Sequence, residues 1–171
     1  INSLQIHYTT KNKKFPFKTN DKKLSNELKE SVERGNLRAT SNISNYSKAD
    51  IVIVSINCDL IKDDSVVSIE LDSFSNSIKE IASQVKENTL IIIESTVPPG
   101  TCIKIVYPIF KNYFKKRRLN IDKLFIAHSY ERVMPGDKYF DSIANYWRVF
   151  SGINSKSADK CESFLSQIIN V

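Results

Sequence analysis

Glu94, Ser95 and Thr96 stand in a row between the apolar run Leu90 to Ile93 and the turn Val97-Pro98-Pro99-Gly100. A carboxylate and two hydroxyls delivered together by an apolar run make a polar site of the kind where chemistry is usually done. A continuous apolar run reads as a central parallel strand covered on both faces, and ligands of open α/β sheets collect beyond the carboxyl ends of such strands. Considered alone, Thr96 reads more readily as a turn threonine whose hydroxyl satisfies the backbone. His128 closes another apolar run and reads as a satisfied, half-buried histidine rather than a base. Cys58 ends a third run with nothing basic paired to it, which describes an inert thiol.

The elements that must hold these groups follow from periodicity. Leu24, Leu28 and Val32 recur every four residues between Asp21 and Gly35, which predicts a helix over 21–34 with Asp21 near its start and a glycine just past its end. Leu37 to Thr40 reads as a brief strand, and the β-branched run Ile51 to Ile56 as a buried one ending at Asn57. Helical spacing extends over 68–85 through Ile69, Phe74, Ile78, Ile81 and Val85, and again over 101–114, where Pro108 is expected to kink the helix. Residues 124–129 and 147–150 are further strand candidates, and 158–169 a closing helix. Trp147, in an aromatic cluster with Tyr139, Phe140, Tyr146 and Phe150, reads as core or interface packing. Strands alternating with helices give an α/β, three-layer, Rossmann-like doubly wound and mainly parallel sheet in a single domain over 1–171.

The totals are those of an ordinary globular protein: 171 residues, 41% hydrophobic and 26% charged. No apolar run approaches the roughly 18 residues of a membrane span, so no membrane partner is expected. Cys58, Cys102 and Cys161 are odd in number and widely spaced, without a CxxC pair or clustered histidines. That supports neither a disulfide framework nor a metal site, and suits a cytoplasmic protein with reduced thiols. The net charge of +6 resides largely in Lys11, Lys13, Lys14 and the run Lys115 to Arg118, which read as solvated faces. Neither stacking platforms nor a reader motif accompany them, so nucleic acid is not an expected partner.

A dinucleotide fold usually places G-x-G-x-x-G after its first strand. Here Gly35, Gly100, Gly136 and Gly152 are the only glycines, and no two are close. The chain also begins at Ile1, in what reads as the middle of a pattern. The expectation is therefore either a domain that does not bind a dinucleotide or a segment of a longer polypeptide lacking its first β-α unit.

Four stretches, in order and spacing, decide between these. ADIVIVSINCDL (49–60), ESTVPPGT (94–101), SYERVMPG (129–136) and RVFSGI (148–153), with GNLRATSN (35–42), resemble the UDP-glucose/GDP-mannose dehydrogenase family. The resemblance runs from about Lys14 to Val171 and implies the NAD-binding domain of a nucleotide-sugar dehydrogenase. Members oxidise a sugar C6 hydroxyl to a carboxylate in two NAD-dependent steps through a thioester on a cysteine, and pair as homodimers through a central helix. On the matching positions, Thr96 corresponds to a threonine that positions a catalytic water, and Glu131 to a glutamate used in acid/base work. Ser95 and Val97 would line the cofactor, Glu94 would meet the nicotinamide ribose region, and Asn57 lies in the loop beside it.

The chain departs from the family pattern in three places. Ile56-Asn57-Cys58-Asp59 replaces Val-Pro-Thr-Pro, Tyr130 replaces a proline, and Pro135 stands where a second acidic residue is usual. The expectation is an NAD-dependent UDP-sugar 6-dehydrogenase serving polysaccharide precursors, with the isolated chain inactive. The competing expectation is a non-catalytic Rossmann-like module that packs against a protein partner. A relative of 6-phosphogluconate dehydrogenase is disfavoured by ESTVPPGT.

Overall fold

The computed structural model describes residues 19–58, 60–63, 66–133 and 136–169. Lys11, Lys13, Lys14, Asp59 and Pro135, singled out above, lie outside the described residues. The chain falls into two compact units: Ile1–Asn42 with Arg132–Trp147 and Ile169–Val171, and Ile43–Glu131 with Arg148–Ile168.

In the first unit, helix α1 (Lys22–Glu33) begins where the sequence predicts. The Asp21 carboxylate accepts from the Leu24 amide at 3.0 Å, satisfying one of the amides that a helix start leaves unpaired. At the other end Gly35 has φ +73°, and Asn36 donates to the Ser31 carbonyl, closing the last turn in the manner that favours glycine. Leu37 to Thr40 forms no strand; Leu37 is 40% exposed and its amide is taken by Ser31. The apolar propensity of so short a stretch does not outweigh the pull of the helix end it follows.

The second unit is built on a four-stranded sheet. After a 3-10 turn at Ile43–Lys48 come β1 (Ile51–Val54), a hairpin of β2 (Leu60–Asp63) and β3 (Val66–Ile69), helix α2 (Asp72–Gln84) and β4 (Leu90–Ile93). A helical segment follows, opening as a wide π-type turn at Cys102–Val106 and continuing as α3 (Tyr107–Lys116). Strand β5 (Phe125–His128) comes next. Helix α4 (Tyr139–Asn145) belongs to the first unit, and β6 (Ser151–Gly152) and α5 (Ser155–Leu165) complete the second. The sheet order is β1-β4-β5-β6, with the first two pairings parallel and β6 antiparallel.

Alternation along the strands divides the side chains between two faces. Val52, Val54, Ile91, Ile93 and Ile126 pack under α2 and α3 with Phe74, Ile78, Val106, Phe110 and Phe114. On the opposite face, Leu90, Ile92, Phe125 and Ala127 are buried, and α5 lies against them. Its Ser157 hydroxyl receives the Ile126 amide at 3.3 Å, and Lys160 sits 4.6 Å from the centre of the Phe125 ring. Helices on both faces of a mainly parallel sheet make the three-layer, doubly wound fold expected from the sequence.

Several boundaries differ from the reading of periodicity, among them the closing helix, expected over 158–169 and found at Ser155–Leu165. The predicted helix over 68–85 starts only at Asp72, because Val66–Ile69 pairs antiparallel with Leu60–Asp63. Glu70 then caps the helix by accepting from the amides of Asp72 and Ser73. The strand expected over 147–150 falls instead on Ser151–Gly152, and Trp147, 75% exposed, is not a core residue. Where the sequence predicts a kink at Pro108, the helix changes from a π-type to an α-type ladder beside it. The wide turn before it, closed by the Tyr107 amide on the Cys102 carbonyl, accommodates a ring that would otherwise crowd the preceding turn.

Gly152 is set where only hydrogen fits. A Cβ there would lie 2.6 Å from the Asn154 carbonyl oxygen and closer still to the Ala158 nitrogen. Gly152→Ala should therefore destabilise the second unit by about 3 kcal/mol, read by urea denaturation, since backbone atoms cannot yield as side chains do. The first unit carries a pH-dependent contact. Amides of Leu24 and then Phe140 hold the Asp21 carboxyl below the usual carboxylate range. Its stabilisation is present above that range and is lost as pH falls through the lowered value. Between about pH 5 and pH 2 the urea midpoint of the wild type should therefore drop more than that of Asp21→Asn. Parallel curves for the two would refute the assignment.

Candidate functional site

Register brings three strand ends to one line. Val54 pairs with Ile93 and Ile93 with His128, so the residues that follow them share one edge of the sheet. The buried strand β4 delivers Glu94, Ser95 and Thr96 to the middle of that edge.

Three adjacent side chains there meet three different environments. Ser95 is 4% exposed, and its hydroxyl receives the Ile56 amide at 2.7 Å and faces the Val54 carbonyl at 3.3 Å. The backbone amides of Glu94 and Ser95 also donate to the Val54 carbonyl. Ser95 thus pins the departing end of β1, and the segment leading to Asn57, onto the end of β4. Thr96 is exposed, and among the described residues its hydroxyl has no hydrogen-bond partner. Val97 is half-buried against the core. Asn57 is exposed in the loop after β1.

Glu94 points elsewhere. Its Oε1 lies 3.1 Å from Nη1 of Arg148, and the same nitrogen donates to the Tyr130 carbonyl at 3.1 Å. After β5, the Ser129 amide donates to the Ile93 carbonyl at 3.0 Å, and the next two residues, Tyr130 and Glu131, are exposed. The Ser129 hydroxyl is buried, with no hydrogen-bond partner among the described residues. His128 is half-buried with Nε2 3.4 Å from the Ser95 carbonyl, a distance at which a ring N–H donates weakly. Its half-buried position agrees with the sequence reading.

Beside this edge lies a cleft of about 330 Å³ between the Val97–Ile103 turn on one side and His128, Ser151 and Ile153 on the other. The Pro98 carbonyl receives both the amide and the hydroxyl of Thr101, and Gly100 adopts φ +89°. Cys102 reaches the cleft wall, and burial pushes its thiol up to about 11, away from the thiolate form. Among the described residues, no group of three or more His, Cys, Asp or Glu could hold a metal ion. No helix among them is long and apolar enough to cross a membrane.

Sequence reasoning passed over Arg148. It stands in RVFSGI, among the matched stretches, but has no partner nearby in sequence; its acceptors are 54 and 18 residues away.

The sequence profile described as "UDP-glucose/GDP-mannose dehydrogenase family, NAD binding domain" matches residues 2–169, spanning both units. The chain is 31% identical over 157 residues to a UDP-N-acetyl-D-mannosamine dehydrogenase from Methanocaldococcus jannaschii, covering 92% of this chain and 34% of that protein. The chain thus spans about a third of the length of this curated relative. Among solved structures, a UDP-D-ManNAc dehydrogenase from Pyrococcus horikoshii superposes with TM-score 0.84 at 24% identity, covering 99% of this chain and 38% of that one. A UDP-N-acetyl-mannosamine dehydrogenase from Staphylococcus aureus gives 0.82 at 21% identity, over 99% and 39%. At such identities the structural likeness speaks for the fold.

Removing the Ser95 hydroxyl leaves the Ile56 amide without its acceptor. Ser95→Ala should cost about 1–3 kcal/mol in urea denaturation and speed amide exchange at Ile56. An unchanged Ile56 exchange rate would show that the hydroxyl does not tie β1 to β4.

Proposed function

The chain belongs to the UDP-glucose/GDP-mannose dehydrogenase family, and from that premise we propose that it is the NAD-binding part of a nucleotide-sugar 6-dehydrogenase. In this reading the whole enzyme oxidises the C6 hydroxyl of a UDP-sugar to a carboxylate for polysaccharide precursor synthesis. The relative from M. jannaschii is named for UDP-N-acetyl-D-mannosamine, which favours a UDP-linked N-acetylhexosamine as substrate. The observation that carries the reading is the ESTVPPGT segment, set at the carboxyl end of the central buried strand with the Glu131 segment emerging from the neighbouring strand.

NAD, when bound, supplies the hydride acceptor. The chemistry of the donors suits the nicotinamide half of such a cofactor. Thr96 offers an exposed, unengaged hydroxyl, Val97 an apolar surface, and Glu94 a carboxylate with one oxygen committed to Arg148. Ser95 would serve through its backbone and by fixing its neighbours, because its hydroxyl is spent on β1. Asn57 would border the cofactor from the loop after β1. Thr96 would hold a water by donating and accepting at once, and Glu131 would take or return the proton of that water or of the substrate. Neither role needs a metal.

The enzyme would be cytoplasmic and homodimeric, with neither nucleic acid nor membrane as partner. The three free cysteines suit a reducing compartment. The 171 residues by themselves would be inactive. They carry no G-x-G-x-x-G turn to meet a pyrophosphate. A second reading, a non-catalytic Rossmann-like module, is favoured by the Ile56-Asn57-Cys58 stretch, which replaces the prolines and threonine hydroxyl usual beside the cofactor.

In the natural polypeptide that contains this sequence, Thr96→Ala and Glu131→Gln should each lower kcat about 100-fold, with KM for NAD changed less than about threefold. The measurement is NADH formation from NAD and UDP-N-acetylhexosamines. Absence of turnover by the wild-type polypeptide across UDP-sugars, together with no NAD binding by calorimetry, would favour the non-catalytic module.

A further inference from the structure

Arg148 is the least expected buried charge at the strand ends. Val149 after it is 57% exposed, yet the Arg148 side chain is 7% exposed. A guanidinium is withdrawn from water only where acceptors replace the lost hydration. Here a single nitrogen, Nη1, meets two: Glu94 Oε1 and the Tyr130 carbonyl, each at 3.1 Å. Glu94 is itself only 21% exposed, so the pair is poorly screened by solvent.

Those acceptors belong to different chain segments. Glu94 leaves β4 two residues before Thr96, and Tyr130 follows β5 one residue before Glu131. Up to that point the sheet keeps the segments in register: Glu94 and Ser95 donate to Val54, and Ser129 donates to Ile93. Beyond it the ladder stops; His128 Nε2 makes one long contact of 3.4 Å to the Ser95 carbonyl, and Arg148 ties the Glu94 carboxylate to the Tyr130 carbonyl.

We propose that Arg148 is a positioning residue that locks the Glu94–Thr96 segment to the Ser129–Glu131 segment and so sets the separation of Thr96 from Glu131. The catalytic consequence rests on the proposed dehydrogenase reading; the lock itself does not. Misplacement of a reacting group by about 1 Å can lower turnover on the order of 100-fold, so a guanidinium that touches no reactant still governs kcat. Lysine keeps the charge and can also donate to two acceptors, but on a flexible stem and without the rigid guanidinium plane, so it restores the bridge only in part.

The test compares Arg148→Met and Arg148→Lys with wild type in the natural polypeptide containing this sequence, by amide exchange and by steady-state kinetics. In Arg148→Met, exchange at Glu94, Ser95 and Ser129 should speed about tenfold or more while Ile78 and Phe110 stay within about twofold. Its kcat should fall roughly 100-fold with KM for NAD within about threefold, and Arg148→Lys should recover at least about tenfold of the loss. Uniform acceleration across α2 and α3, with lysine no better than methionine, would mean that Arg148 serves general stability and would overturn the proposal. Unchanged exchange at the three strand-end amides would overturn it too. A wild-type polypeptide that turns over no UDP-sugar would refute the dehydrogenase reading, and the exchange pattern alone would then decide whether the lock exists.

Discussion

A strand hydrogen-bonded on both edges and covered on both faces can hand its chain to solvent only at its ends, and β4 is such a strand. Leu90 to Ile93 are each 3% exposed or less, with β1 on one side and β5 on the other. Every backbone amide and carbonyl along it is spoken for by the ladders, and its side chains fill the layers above and below. The chain is then free to change direction only at Glu94, where the apolar run stops. Parallel pairing brings the ends of β1 and β5 to the same line, so polar residues far apart in sequence become neighbours for a reason unrelated to their own chemistry.

Exit from a buried strand leaves polar groups to be satisfied, and the solutions found at this edge divide the labour among adjacent residues. The Ser95 hydroxyl answers the backbone of β1, Glu94 answers a buried guanidinium, and Thr96 is left facing outward. A hydroxyl already occupied by structure is a poor candidate for chemistry, and an unengaged one at the same edge is a better one. Burial raises the Cys102 thiol beside the cleft and disfavours its thiolate.

Much of the frame was legible because its signals are local. The cap at Asp21, the glycine stop at Gly35, the β-branched runs of β1 and β4 and the helical spacing of Phe74, Ile78 and Ile81 each report a preference that the fold does not oppose. The errors lie where a distant partner decides. Val66 to Ile69 became a strand because Leu60 to Asp63 lies opposite, and β6 began at Ser151 because Ala127 and His128 offer their edge there. Leu37 to Thr40 pairs with no strand among the described residues.

The sequence by itself determined the class of fold, the family and the cluster of polar residues after the central strand, because apolar period, turn chemistry and an ordered set of motifs are written along the chain. Only the tertiary structure decided which members of that cluster are engaged and which are open to a ligand. Whether a hydroxyl is occupied depends on the backbone atom of another strand that comes within 3 Å of it, as Ile56 comes within 2.7 Å of Ser95. Arg148 belongs to the same class of fact: an arginine in sequence is a surface charge by default, and its burial against Glu94 and Tyr130 exists only once three separate segments converge.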